Sequence, residues 1–172
     1  MNKRNNQIIA GSLLLITLSG VLVWLFLSIP KVGYVDNAKL FNEFKLKKIL
    51  EAEYKKTENM RKSQLDSLSL GIKLMSEQKL NQQQQQYLRM QQEQLEYKQQ
   101  EFQEMNEALS AQYNEQIWNQ LNQYVKDYGI KNQYQLIHGL TGDGTLMYAE
   151  ESKDITPSLI EYANKRFEGE NK

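Results

Sequence analysis

The sequence predicts a mostly α, α+β fold in which a long antiparallel helical hairpin, a coiled-coil arm, stands on a small β-body, with a helix near the C-terminus. Residues 37–128 contain no Pro and a single Gly, and they are dominated by Lys, Glu, Gln, Leu and Met, which are good helix formers. Short β-branched and aromatic runs lie on either side of this stretch. We therefore expect strands from both ends of the soluble chain to meet at the base of the arm.

The composition excludes several classes of protein. The chain of 172 residues has no Cys, which excludes disulfides, thiolate metal sites and cysteine nucleophiles, and its single His excludes a multi-histidine metal site. Lys+Arg and Asp+Glu are 21 each, so net charge favours neither nucleic acid nor a membrane surface as a partner. We expect no enzyme activity, no cofactor, no metal and no nucleic-acid partner.

Residues 1–30 are predicted to form a transmembrane signal-anchor. No charged side chain occurs from Asn5 to Pro30, and residues 8–29 supply the roughly 20 apolar residues that a helix needs to cross a bilayer. Lys3 and Arg4 precede this run, which favours a cytoplasmic N-terminus and places the bulk of the chain outside the cytoplasm.

A cleaved signal peptide is the alternative, because it also has basic residues before an apolar run. Cleavage after Ser19 and Gly20 would leave the apolar residues 21–27 on the mature chain, and Phe26 with Ser28 fits the A-x-A pattern poorly. We therefore favour a retained anchor, whereas cleavage would give a soluble protein.

Residues 31–36 and 129–172 make up the predicted β-body. Strands are expected at residues 31–36, 135–138 and 145–149, the last two flanking a turn at Gly142-Asp143-Gly144. Three short strands and one helix bury little apolar surface, so we expect the chain to oligomerise. The residues expected at the oligomer interface are Val32, Tyr34, Leu136, Leu146 and Tyr148.

Residues 37–128 make up the predicted arm. A single rod would be ~140 Å long, so two helices of ~65 Å joined at a tip near residues 76–82 are the more plausible arrangement. Asn81 is expected to cap the second helix together with Gln84, and Gly129 to end that helix as its C′ residue.

Apolar and charged residues are distributed unevenly along the arm. Apolar side chains are concentrated at its base, where we expect the core, while Leu88, Leu95 and Phe102 step by seven as at a coiled-coil seam. Residues 37–80 carry ten Lys/Arg and six Asp/Glu, and residues 81–128 carry three and seven. We interpret these opposite charges as an aid to antiparallel pairing; a basic grip for acidic partners is the alternative.

The last predicted helix begins with Thr156 as N-cap and Pro157 as its first residue, and it ends near Phe167.

Neither His138 nor Asp143 is assigned a catalytic or metal-binding role. His138 lies in a strand pattern without a nucleophile nearby in the sequence, and Asp143 between two glycines is typical of a turn.

Several short motifs occur in a characteristic order around the predicted hairpin. Gly33-Tyr34-Val35-Asp36 opens the first strand, Gly142-Asp143-Gly144 is followed by Tyr148-Ala149, and Asp154-Ile155-Thr156 precedes the last helix. In these features, residues 31–168 resemble the Skp/OmpH family of periplasmic chaperones. The resemblance implies a homotrimer with a central β-body and three arms, which enclose unfolded outer-membrane proteins without ATP. With a retained anchor, such a protein would be a single-pass protein of the bacterial inner membrane with its bulk in the periplasm.

Two functions are predicted from these features. The first is an ATP-independent holdase for unfolded envelope or outer-membrane proteins, and the alternative is a membrane-anchored coiled-coil scaffold or tether of an envelope complex. Flexible Met side chains along a thin apolar arm favour the holdase. The row at Leu88, Leu95 and Phe102 is alternatively the seam between the two helices. The expected client-binding residues are Leu88, Met90, Leu95, Tyr97, Phe102 and Met105.

Overall fold

The computed structural model describes residues 17–21, 29–142 and 144–169. Residues 17–21 are helical. The elements that follow are β1 (Val32–Asp36), α1 (Asn37–Glu43), α2 (Lys45–Ser76), α3 (Gln82–Lys131), β2 (Leu136–Leu140), a 3-10 turn (Glu151–Lys153) and α4 (Thr156–Phe167). The described chain is therefore mostly helical with a small sheet, as the sequence predicts.

Most of the predicted membrane anchor, residues 8–29, lies outside the described residues. Within residues 17–21, 29–142 and 144–169, no helix combines the length and the apolar character that a bilayer crossing requires.

The sheet joins segments from the beginning and the end of residues 29–169. β1 and β2 pair in parallel, with Val32 opposite Leu136 and Asp36 opposite Leu140. On its other edge β1 forms a single parallel bridge from Tyr34 to Asp154, where the Ile155 N–H donates to the Tyr34 carbonyl over 3.0 Å. The prediction that strands from both ends meet in one sheet is confirmed.

The predicted third strand at residues 145–149 is wrong. These residues have no regular secondary structure, and Met147 and Tyr148 are 89% and 84% exposed. The turn after β2 was expected to fold these residues back onto β2, but among the described residues β2 pairs only with β1, so the backbone groups of residues 145–149 have no partner strand. β2 instead continues two residues beyond the predicted end at His138.

A break at Phe44 divides the first predicted helix into α1 and α2. The Lys39 N–H donates to Asp36 Oδ1 over 2.9 Å and so caps α1, while Phe44 is extended with ψ of 130°. The Phe44 ring is 1% exposed and packs edge-on against Tyr124 and Phe167. Burial of this ring at the base accounts for the break.

The two long helices lie side by side. Tyr113 Oη donates to Glu53 over 3.5 Å, and nearer the tip Arg61 donates to Asn106. Toward the tip, the residue numbers of α2 therefore rise, while those of the residues beside them on α3 fall. Residues 77–81 join the helices, and the predicted capping box is confirmed: the side chains of Asn81 and Gln84 each accept the other's backbone N–H over 2.9 Å.

The predicted end of α3 at Gly129 is wrong, because the helix continues to Lys131. A Schellman closure follows, with N–H groups of Tyr134 and Gln133 bonded to the carbonyls of Gly129 and Ile130 over 2.9 and 3.2 Å. Gln133 takes the left-handed conformation at φ of 60°, and the ring of Tyr134 stacks on Tyr128. Stacking of the two tyrosines favours this later end.

Thr156 is the first residue of α4 rather than its N-cap. Its hydroxyl accepts the Asp36 N–H over 2.9 Å, so it joins α4 to β1, and the Asp154 carboxylate accepts the Thr156 N–H over 2.8 Å. α4 ends at Phe167, as predicted.

The hydrophobic core lies at the base of the arm, as the sequence predicts. Between residues 51 and 116 no described residue is fully buried. The buried apolar residues are Val35, Leu40, Phe44, Leu46, Leu50, Ile117, Leu121, Tyr124, Ile155, Leu159, Ile160 and Ala163.

Candidate functional site

The first candidate surface is the arm formed by α2 and α3. On α3 the row Leu88, Leu95 and Phe102 is half-buried. Arg61 of α2 lies 5.9 Å from the centre of the Phe102 ring, so this end of the row faces the partner helix. The other three predicted client-binding residues are more exposed: Met90 by 58%, Tyr97 by 68% and Met105 by 45%. The six side chains thus divide into a seam row and an exposed set.

A cleft of about 930 Å³ opens between α2 and α3 in the middle of the arm. Phe102 and Leu65 supply apolar walls, while Glu58, Lys62 and Glu107 supply charged ones. The Lys98 ammonium lies 5.4 Å from the centre of the Phe102 ring. Few apolar side chains from the two helices meet here, so the middle of the arm is loosely packed.

A smaller cleft of about 400 Å³ lies near the tip, and sequence analysis did not identify it. A Cβ added at Gly71 would meet nothing within 4 Å. Leu74 and Tyr87, about half exposed, line the cleft together with Met75 and Leu80. The seven-residue row at Leu88, Leu95 and Phe102 leaves out Tyr87, and this departure was the available signal for an apolar residue outside the seam.

The second candidate surface is the base, where the five predicted interface residues fall into two groups. Val32 and Tyr34 lie on β1, which has neighbours on both edges, and both are half-buried. Leu136 and Tyr148 are 48% and 84% exposed, and Leu146 is half-buried. Among the described residues, β2 pairs only with β1. Its other edge and the nearby apolar side chains therefore form a surface suited to another chain.

The acidic turn before α4 affects the phenol of Tyr34. Burial raises the pKa of Tyr34 above its ordinary value, and the charges of Asp154 and Glu151 raise it further. The Tyr34 hydroxyl therefore stays protonated at physiological pH. In the described ranges no three His, Asp or Glu side chains come close enough to hold a metal ion. His138 is exposed on β2, opposite Tyr34.

The model of the family described as "Outer membrane protein (OmpH-like)" matches residues 31–162. The chain also resembles the solved structure of an OmpH-like protein of Caulobacter crescentus that has been described as an outer membrane chaperone. The TM-score is 0.63 at 15% sequence identity, and the match covers 81% of this chain and 86% of that chain. No curated protein sequence matches.

Proposed function

Because the chain belongs to the OmpH-like family, we propose that it is an ATP-independent holdase that shields unfolded outer-membrane or other envelope proteins between helical arms. The observation that carries this proposal is the exposed set on α3, Met90, Tyr97 and Met105, on a helix surface that is otherwise mostly polar. Each such group offers ~25 cal/mol per Å² of apolar area that a client buries. Contacts of this kind are non-directional, so they suit clients without a fixed structure.

The proposed working form is a homotrimer in which α2 and α3 of each subunit form an antiparallel hairpin arm. Among the described residues one edge of β2 has no partner, and this edge supports assembly through the base together with the exposed Leu136 and Tyr148. The small core supports it as well, because the buried apolar side chains of residues 29–142 and 144–169 all lie at the base. Three arms on one base would surround the client with weak contacts.

We further propose that residues 8–29 anchor this chaperone in the inner membrane, with residues 31–172 in the periplasm. The uncharged apolar length and the preceding Lys3 and Arg4 support this arrangement. Mass spectrometry of the membrane fraction should detect the intact N-terminal peptide. A native chain that begins after residue 20 or 28 would instead be a soluble periplasmic chaperone.

The test of the holdase proposal is suppression of aggregation of an unfolded β-barrel protein without nucleotide. The full chain should keep the client soluble, and the variant Met90→Ser/Tyr97→Ser/Met105→Ser should retain it several-fold less, since it removes the exposed apolar area. Helicity and oligomer mass should not change, because these three side chains lie outside the buried core.

The matched control replaces exposed amides of the same helix, Gln85→Ser/Gln92→Ser/Gln100→Ser, and it should retain the client like the natural chain. If the variant Met90→Ser/Tyr97→Ser/Met105→Ser retains the client as well as the natural chain does, these three side chains do not bind the client. If the natural chain retains no unfolded client, the arms act as a scaffold that docks on a folded partner.

A further inference from the structure

The two helices of the arm carry opposite charges on the sides that face away from each other. The exposed lysines of α2 lie within about 120° of one another when each residue turns the helix by 100°. On the same count, the exposed glutamates of α3 lie within about 100° of one another and roughly opposite the seam row. The exposed lysines on the outer side of α2 are Lys48, Lys55, Lys56 and Lys73. The exposed glutamates on the outer side of α3 are Glu93, Glu96, Glu104 and Glu115. Lys62 and Glu107 are also exposed, but they line the cleft between the two helices.

These charges do not pair across the arm. In the part of the chain that the structure describes, no ion pair joins α2 to α3. Glu104 and Glu107 accept hydrogen bonds from the neutral amides of Gln100 and Gln103 over 2.9 and 3.0 Å. Lys55 lies 3.8 Å from Glu51 of its own helix, an exposed pair that contributes little.

Attraction within one arm does not explain the arrangement. Two packed helices place their outer sides ~20 Å apart, about twice the Debye length of ~8 Å at physiological ionic strength. Asp66 lies among the lysines and Arg89 lies near the glutamates, so each side keeps a net charge of three or more. Charges of both signs are therefore available to a partner outside the arm.

The lysines and glutamates also occur at matching heights along the arm. The contact between Arg61 and Asn106 fixes which residues of α2 and α3 lie level with each other. By the same count, Lys73 is level with Gln94, which is next to Glu93. Lys55 is level with a point on α3 that lies about 4.5 Å from Glu115 along the helix axis. Rotation about an assembly axis along the arms preserves these heights, so the α2 side of one arm matches the α3 side of the next.

We infer that the partner of these surfaces is the arm of a second copy: the lysine side of α2 contacts the glutamate side of α3 in the neighbouring subunit and draws the arms together. This inference rests on the proposed trimer and goes beyond it. A basic side and an acidic side that face away from each other suit a head-to-tail ring, in which every arm uses both. Salt should open the ring of arms, because exposed ion pairs are screened.

Interchain crosslinking of the full chain tests the inference. The chain has no Cys, so Ser63→Cys on α2 and Ala108→Cys on α3 introduce the only thiols. Both positions are exposed and point away from the seam. A bismaleimide that spans about 10 Å cannot join the two sides of one arm, so crosslinked products are between chains. The yield of crosslinked product should fall about fivefold when the salt concentration is raised from about 20 mM to about 500 mM. A decrease of this size is expected when several surface ion pairs are screened together.

Charge reversal supplies the matched controls in the same Cys background. Lys55→Glu/Lys56→Glu/Lys73→Glu alone should lower the low-salt yield about fivefold, and Glu96→Lys/Glu104→Lys/Glu115→Lys alone should do the same. The two sets combined should restore the yield, since the signs are again opposite across the interface. Light scattering should show a trimer for every variant. If the chain is a trimer but its crosslinking yield changes with neither salt nor charge reversal, only the contact between arms is wrong. If the natural chain is a monomer, both the contact and the proposed assembly are wrong.

Discussion

Gly33 and Gly71 show how different the reasons for a glycine are in this chain. A Cβ at Gly33 would lie 3.0 Å from the Tyr134 ring and 3.1 Å from Ile155, whereas one at Gly71 would meet nothing within 4 Å. Neither neighbour of Gly33 has freedom to move: Tyr134 is stacked on Tyr128, and Ile155 is 6% exposed. Gly33 is needed for close packing of β1, and Gly71 is not needed for packing in the described arm.

The same substitution should therefore have opposite effects at the two positions. Gly33→Ala should lower the free energy of unfolding by about 1–3 kcal/mol through overpacking. Gly71→Ala should raise the stability of the arm by up to about 1 kcal/mol, because Ala favours the helix interior. Urea denaturation at equal protein concentrations measures both. Equal effects of the two substitutions would contradict the packing account of Gly33.

At the scale of the element, the N-terminus of α3 depends on its capping box. Asn81→Ala should destabilise the first turn of α3 by about 1 kcal/mol, since it removes the acceptor of the Gln84 N–H. Hydrogen exchange of the backbone amides near residues 84–87 should become about fivefold faster, while exchange in the core at the base stays unchanged. Asn122→Ala, at an exposed position inside the same helix, is the control and should not accelerate exchange at the tip. Unchanged exchange in Asn81→Ala would show that the cap is dispensable.

Local signals explain which elements the sequence could predict. The Asn81 cap is decided by residues within one helical turn, and it was predicted. The start of α4 was predicted one residue late, because the Thr156 hydroxyl accepts a hydrogen bond from Asp36, which is distant in the sequence. The break at Phe44 depends on Tyr124 and Phe167, which are distant in the sequence, so no local pattern reveals it. The absent strand at 145–149 likewise depends on whether the chain folds back onto β2 after the turn, which the alternation of residue types within 145–149 does not decide. Seven-residue spacing predicted the row from Leu88 to Phe102, whereas the exposure of Met90 and Tyr97 depends on how α3 is turned toward α2.

At the scale of the whole molecule, the base should decide whether subunits assemble. Leu136→Asp or Tyr148→Asp should dissociate the proposed trimer, because each would place an unpaired charge in an apolar contact between chains. Light scattering across micromolar concentrations measures the mass. Leu70→Asp provides the matched control: Leu70 is 56% exposed on the arm, away from the base, and its substitution should leave the mass unchanged. A monomer for the natural chain, or dissociation by Leu70→Asp, would contradict assembly through the base.

The parallel pairing of β1 with β2 also has a consequence for the order of folding. It joins residues such as Val32 and Leu136, which are far apart in the sequence. Closing a flexible loop as long as the chain between them costs about 4 kcal/mol of chain entropy. Helix formation needs only local contacts and is fast, whereas pairing of distant strands is slow. A hairpin that forms first brings the two strands together and removes most of this entropic barrier. The arm thus acts as a folding template for its own base, and nascent chains shorter than about 136 residues lack the partner strand that completes the sheet.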